Sequence, residues 1–336
     1  MTELLTEIKP VHWDMILRRM RKGRCVPFLG AAVNVRSRDE SYPYKGLPLA
    51  EKVALDFVNT LMKLKATEFR ELAEVTSHVP FENSRREDLL RLTLHNLARV
   101  ALHVDVDSNF DFDYLLSLLQ ESLSGENTPS KLLETIARIE TLQLIVTTNY
   151  DRLMENALEK IHRPYELVVQ PIDGFKDAAQ DWVIKELPRV RDKAKLILYK
   201  IHGTFPDAAT PKTSRIIITE DDYIKFLTVI GAKDKGVPPV IRSDMVDGTL
   251  LFLGYSLEDW DFRTIYKGLI EELPPDDRRT SFAIQKDPPR FWVEYWKSKG
   301  VVICDMDVYQ FADELKKRCQ DEGLYHEECG TEAERE

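Results

Sequence analysis

Four short segments set chemistry-bearing residues directly after apolar runs. In Lys200-Ile201-His202-Gly203-Thr204, which closes the run LILYKI (196–201), an imidazole is followed by a glycine that leaves its face open. Imidazole is the side chain best matched to proton transfer near neutral pH, so His202 is a candidate general base, although a structural histidine would satisfy the same segment. The other six histidines (His12, His78, His95, His103, His162 and His326) lie in helical or tail contexts.

Thr147-Thr148-Asn149-Tyr150-Asp151 follows the run LIVTT (144–148) and leads into the helical pattern DRLMENALEKI (151–161). Asn149 and Asp151 place an amide and a carboxylate at the carboxyl end of a buried strand, where ligands bind in doubly wound sheets, and either would equally serve as a helix N-cap. Phe28-Leu29-Gly30-Ala31-Ala32 is a small-residue turn whose backbone could approach a phosphate, or simply a tight turn. The last segment runs from Leu253-Gly254-Tyr255-Ser256 to Asp259 and Asp261, a glycine turn with Ser256 at a helix start and Asp259 close behind.

The elements that must position these residues follow from the hydrophobic pattern. Apolar runs at 25–30, 144–148, 196–201, 215–219, 249–254, 281–285 and 301–305 are too uniformly apolar to be half-exposed, as expected of strands buried on both faces of a parallel sheet. Helical periodicity fills the intervals at 47–64, 112–123, 130–142, 151–161, 261–273 and 308–319. This alternation predicts an α/β fold with a doubly wound, Rossmann-like, mostly parallel sheet. Such a sheet gathers all four segments along one edge. The stretch between the first two strands is far longer than a crossover needs, which predicts a large helical insertion at about 47–140 within a catalytic domain spanning 1–320. Residues 321–336 carry seven acids and one arginine and are expected to be a disordered acidic tail.

Composition excludes several classes. The formal net charge is -10 over 336 residues, and the tail accounts for -6 of it, so no global attraction to nucleic acid or anionic lipid is expected. The four cysteines (Cys25, Cys304, Cys319 and Cys329) form no CxxC pair, so neither a zinc site nor a disulfide framework is expected. No run approaches the ~20 apolar residues of a membrane span, and the first residues, MTELLTEIKP, lack a signal-peptide pattern, so a cytoplasmic location is expected.

Taken in order, the first turn, TTNYD, KIHGT and FLGYSLEDWDFRTIY resemble the sirtuin-like domain of bacterial anti-phage defence proteins, over roughly residues 20–318. The resemblance implies that Gly30, Ala31 and Ala32 hold the phosphates of NAD and that Thr148 faces the nicotinamide ribose. It further implies that Asn149, His202 and Asp151 are catalytic, and that Gly254, Ser256 and Asp259 meet the adenosine side. Deacetylating sirtuins carry a four-cysteine zinc ribbon that this chain lacks, and Val35-Arg36-Ser37-Arg38 and Gly46-Leu47-Pro48-Leu49 stand where they have GIPDFR. The defence branch therefore fits better, implying NAD cleavage to nicotinamide and ADP-ribose. A protein deacylase and a non-catalytic NAD- or ADP-ribose-binding module are the alternatives. The same analogy implies a homo-oligomer working with a separately encoded sensor, such as a HerA-type ATPase or a short Argonaute.

Overall fold

The computed structural model describes residues 8–37, 45–50, 52–54, 56–57, 94–106, 111–123, 128–192, 195–205, 216–230, 236–257, 260–268 and 279–326. Nine strands are described: β1 (Cys25–Leu29), β2 (Val35–Ser37), β3 (Lys45–Gly46), β4 (Leu144–Thr147), β5 (Tyr165–Val169), β6 (Leu196–Lys200), β7 (Thr249–Leu253), β8 (Ser281–Ile284) and β9 (Val301–Cys304). Seven of them form one parallel sheet in the order β5-β6-β4-β1-β7-β8-β9, and β2 and β3 pair separately as a small antiparallel ribbon.

Each of β1, β4, β6 and β7 is buried along its whole length because both of its faces are covered. In β1, Val26 and Phe28 enter one core, while Cys25 and Leu29 enter the other. The same division separates Ile197 and Tyr199 from Leu196 and Leu198 in β6, and Leu250 and Phe252 from Leu251 and Leu253 in β7. Strand periodicity thus sorts one sequence into two cores, and that requires helices on both sides of the sheet. The Rossmann-like α/β architecture is the one anticipated from the apolar runs.

The sheet's winding fixes where a site can form. From β1 the chain passes to β4, skips to the edge strand β5 and steps back to β6 between them, then crosses to β7 on the other flank of β1 and continues outward through β8 and β9. The direction reverses across the β1/β7 pair, and a crevice opens there beyond the carboxyl ends of the strands. A third apolar cluster sits over that edge, built from Leu97, Ala101, Leu115 and Leu119 with Val53, Phe57, Ile216 and Ile218. Its helices, Leu94–Val106 and Phe112–Leu123, fall in the expected insertion; residues 58–93 of that insertion lie outside the described residues.

The structure corrects three readings of the sequence. Residues 216–219 form no strand. They cross the strand ends as a buried segment, and Thr219 then starts the helix Glu220–Ile230, where Asp222 accepts from Thr219 N at 2.9 Å and Asp222 N donates to Thr219 Oγ1 at 3.1 Å. The run was apolar because it is covered by the helical cluster above and the sheet below. Strand β5, YELVV, had no place in the sequence reading because it is the sheet's edge and only Val168 is fully buried. The acidic tail begins later than 321: the helix Val308–Asp321 continues into a packed segment where Leu324 is buried, Tyr325 bridges Ile139 and His326 N donates to Arg138 O at 2.8 Å. Residues 327–336 lie outside the described residues.

One basic side chain holds a helix end that no cap residue serves. After the helix Lys131–Ala137, the Arg163 guanidinium donates to four carbonyls, those of Ala137 (2.8 Å), Ile139 (2.8 Å), Glu140 (3.1 Å) and Leu142 (2.7 Å). Ile139 O also accepts from Leu142 N at 3.2 Å; the others are carbonyls that a helix C-terminus and the following turn leave free. Burial lowers the guanidinium pKa to about 10, and the charge is retained.

Candidate active site

The turns after β1 and β7 lock into each other. Gly30 N donates to Leu253 O at 2.9 Å and Ala32 N to Gly254 O at 3.1 Å. A Cβ at Gly30 would lie 2.6 Å from Gly254 O, and one at Gly254, whose φ is +72°, would lie 2.4 Å from Val33 N. Two glycines are therefore demanded by the approach of two backbones. A consequence for ligand binding follows: of the three amides in Gly30-Ala31-Ala32, only that of Ala31 has no hydrogen-bond partner among the described residues. Ala31 also lines the pocket described below.

Asn149 is fixed on the same framework. Its Nδ2 donates to Gly30 O at 3.2 Å, and its backbone N donates to Thr147 Oγ1 at 3.1 Å. Thr148 N donates to Leu29 O at 3.1 Å, and the Thr148 hydroxyl meets Tyr255 Oη at 2.8 Å. Asp151 does what an N-terminal cap does, accepting from Leu153 N at 2.8 Å, and its other oxygen accepts from Asn34 Nδ2 at 2.8 Å. Capping and a role at the site are compatible, because Asp151 still lines the pocket.

His202 follows β6 and is 2% exposed. Tyr223 and Phe226 meet its ring edge-on, with centroids 5.5 and 5.2 Å away. Its Nε2 is buried without a hydrogen-bond partner among the described residues. Burial among these aromatics lowers its pKa to about 3, so the imidazole is neutral and its lone pair free at physiological pH. Its backbone oxygen accepts from Ile217 N at 2.9 Å, and Tyr150 Oη donates to Ile217 O, so the misread segment 216–219 ties His202 to the TTNYD loop.

These residues converge on one cavity of about 140 Å³, lined by Asn149, Asp151, His202, Thr148, Gly254 and Ser256 together with Ala31, Asn34, Tyr150 and Tyr255. Leu97, Leu119, Leu123 and Val53 from the helical cluster close the opposite wall. Among the described lining residues the only formal charge is the carboxylate of Asp151, with no lysine or arginine. Gly30 and Ala32 stand behind the pocket in the interlocked turns. Asp259 lies outside the described residues.

Sequence reasoning passed over Asn34, Tyr150, Tyr255 and Tyr223. Tyr150 and Tyr255 sit inside the segments singled out above, and an aromatic at a strand-end turn is a readable signal. Asn34 is a polar side chain 3% exposed, with its Oδ1 unpartnered among the described residues, and only the fold reveals it beside Asp151. Among the described residues, no group of His, Cys, Asp and Glu could hold a metal ion. Cys25, Cys304 and Cys319 are free and buried, and burial raises the thiols of Cys304 and Cys319 to about 12.

The site thus lies at the β1/β7 switch point of a parallel sheet, with Asn149, Asp151 and His202 at adjacent strand ends. Residues 143–304 match the family model described as the SIR2-like domain, a segment running from β4 to β9. Over 144 residues the chain is 30% identical to the NAD(+) hydrolase ThsA of Bacillus cereus (strain MSX-D12), an alignment covering 43% of this chain and 26% of that protein. Over 124 residues it is 29% identical to the NAD(+) hydrolase ThsA of Cytobacillus dafuensis, covering 35% of this chain and 20% of that one. The alignments thus span about a quarter or less of these curated relatives. Among the described residues no helix is long and apolar enough to cross a membrane.

Proposed function

We propose that the protein is an NAD+ glycohydrolase, releasing nicotinamide and ADP-ribose. The observation that carries this reading is the convergence of His202 and Asn149 on one pocket, with His202 Nε2 unpartnered among the described residues and no lysine or arginine among the described lining residues to oppose a cationic nicotinamide ring. Similarity to proteins named NAD(+) hydrolase supports it. In the reaction the bond between ribose C1′ and the nicotinamide nitrogen breaks, its electron pair leaves with the ring, and water adds to C1′.

Each residue has a part that its position supports. Asn149 has committed its Nδ2 to Gly30 O, so its Oδ1 is the half that can accept from a ribose hydroxyl or the attacking water. Asp151 sets negative charge near the oxocarbenium-like ribose. His202 accepts the proton the water sheds as it bonds to C1′, then passes it to solvent. A base of low pKa suffices here, because water bonding to a cationic carbon becomes strongly acidic. Ala31 N offers one backbone donor to the diphosphate, with Thr148, Gly254 and Ser256 contributing to the ribose contacts and Gly30 and Ala32 shaping the turn.

The resemblance to the defence branch supports a role as the NAD-depleting effector of an anti-phage system. In this role the chain is held quiescent in a homo-oligomer in the cytoplasm until a second component, such as a HerA-type ATPase or alternatively a short Argonaute, activates it. The deciding experiment follows nicotinamide release from NAD+ by the purified protein, with and without an acetylated peptide. Release without peptide is expected. Peptide-dependent release would instead indicate a deacylase, and binding without turnover a regulatory module.

A further inference from the structure

A lysine that no ligand could touch lies directly behind the pocket. Lys200 is the last residue of β6, and its side chain is 0% exposed. Its Nζ donates to Glu155 Oε1 at 2.9 Å, to Asp151 O, and to Tyr150 O at 3.5 Å. An ammonium has three donors, and here all three are used. Glu155, 1% exposed, comes from the first turn of the helix after the TTNYD loop, and its Oε2 has no partner among the described residues. Thr204, four residues after Lys200, adds an Oγ1 donation to Tyr150 O at 3.3 Å, and Phe205 N donates to the same oxygen at 3.2 Å.

Stability is a poor explanation for such a pair. Removing two charges from water costs several kcal/mol each, and apolar residues of similar volume commonly replace a buried ion pair at no loss. What an apolar pair cannot do is bond the carbonyls of Tyr150 and Asp151. Those carbonyls belong to the loop that carries Asn149 and Asp151, and Lys200 stands two residues before His202. The ammonium therefore spans the Asn149 loop and the strand that carries His202.

We propose that Lys200, with Thr204, is a positioning clamp that sets the Asn149 loop against His202 in the reactive arrangement, while Glu155 is the buried counter-charge that pairs with it. This rests on the hydrolase reading for its kinetic consequence, but the clamp itself is a statement about the loop. Small displacements of a catalytic group cost rate steeply, about 10²-fold for 1 Å.

The test is the Lys200→Met/Glu155→Met double variant, which removes both charges and leaves similar volume. The expected result is a melting temperature near wild type, a kcat for NAD+ lowered at least about 30-fold with KM changed less than about threefold, and faster amide hydrogen exchange at 149–153. A kcat restored together with stability, a change confined to KM, or unaltered exchange would each overturn the clamp. Should the double variant not fold, Thr204→Val, which buries no charge, is expected to lower kcat about 3- to 10-fold and to speed exchange in the same segment; wild-type kcat and exchange in Thr204→Val would overturn it. A wild-type protein that releases no nicotinamide would defeat the hydrolase reading, and the exchange measurement would still decide the clamp.

Discussion

The side-chain amide of Asn149 donates to the backbone carbonyl of Gly30 at 3.2 Å, joining the loop after β4 to the turn after β1. The contact orients the residue as well as holding it, because the committed Nδ2 dictates which end of the amide is left for a ligand. Asn149→Ala is expected to lower kcat for NAD cleavage by about 10²-fold or more with a much smaller effect on folding. Asn149→Asp should give no rescue, since a carboxylate oxygen would face the Gly30 carbonyl. Steady-state nicotinamide release and thermal melting measure both; wild-type-like turnover in the aspartate variant would refute the assigned orientation.

His202 makes a prediction about pH. Its pKa is about 3 in the folded protein and 6.5 for an ordinary histidine. The unfolded chain therefore takes up this proton first, and the stability contributed by the neutral buried ring is complete above pH 6.5 and lost as pH falls toward 3. At pH 5 the loss amounts to about 2 kcal/mol. His202→Phe, which suits the neighbouring Tyr223 and Phe226, should abolish turnover and flatten the decline of stability between pH 6.5 and 4. Denaturant titrations across that range provide the comparison, and an unchanged slope in the variant would contradict the assignment. For the same reason kcat/KM of the wild type should show no inflection near pH 6.5 from this group.

Gly254→Ala tests the interlocked turns. The substitution forces an L-residue to φ +72° and drives a methyl group against Val33 N, where a Cβ would stand at 2.4 Å. Backbone must move, so a loss of at least about 2 kcal/mol is expected together with loss of turnover. Chemical denaturation would show it as a lower midpoint, whereas a fully stable and active variant would mean that the turns are not locked.

Arg163→Met removes a guanidinium that bonds four carbonyls, only one of which, Ile139 O, keeps a backbone donor from Leu142 N among the described residues. A destabilisation of about 2–4 kcal/mol is expected, with kcat near wild type at temperatures where the variant is folded, because the site lies at other strand ends. Arg163→Lys should recover little of this, since a point charge cannot reach all four oxygens in one plane. Unfolding curves in urea, with turnover measured at low temperature, separate the two effects.

Most of the sheet could be read from the chain because parallel strands buried on both faces leave uninterrupted apolar runs; six of the seven runs, from Cys25–Leu29 to Val301–Cys304, are strands. The seventh, 216–219, shows the limit of the signal: being covered on both sides makes a segment apolar whether or not it joins a ladder. Strand β5 failed in the opposite sense, since an edge with one neighbour tolerates Tyr165 and Glu166 half-exposed. At the site, Asn149, Asp151 and His202 were legible as polar residues placed just past apolar runs. Lys200 was not, because a charged residue ending an apolar strand looks like a surface boundary until the fold brings Glu155 and two carbonyls around it. The difference between Ala31 and its two neighbours was invisible for the same reason, since backbone pairing between β1 and β7 turns leaves no trace in side-chain type.

The family match begins at residue 143, yet the strand between β4 and β7 is β1, residues 25–29. A fragment trimmed to the matched boundaries would keep both neighbours of the missing strand and leave a slot one strand wide, with unpaired backbone on each side. Such a slot invites an extended segment from another molecule to fill it. Expression of 143–304 alone should therefore yield aggregates or exchanged multimers, and a separately supplied N-terminal peptide containing Cys25–Leu29 should suppress them, making the central strand a natural seam for splitting the protein into complementing halves.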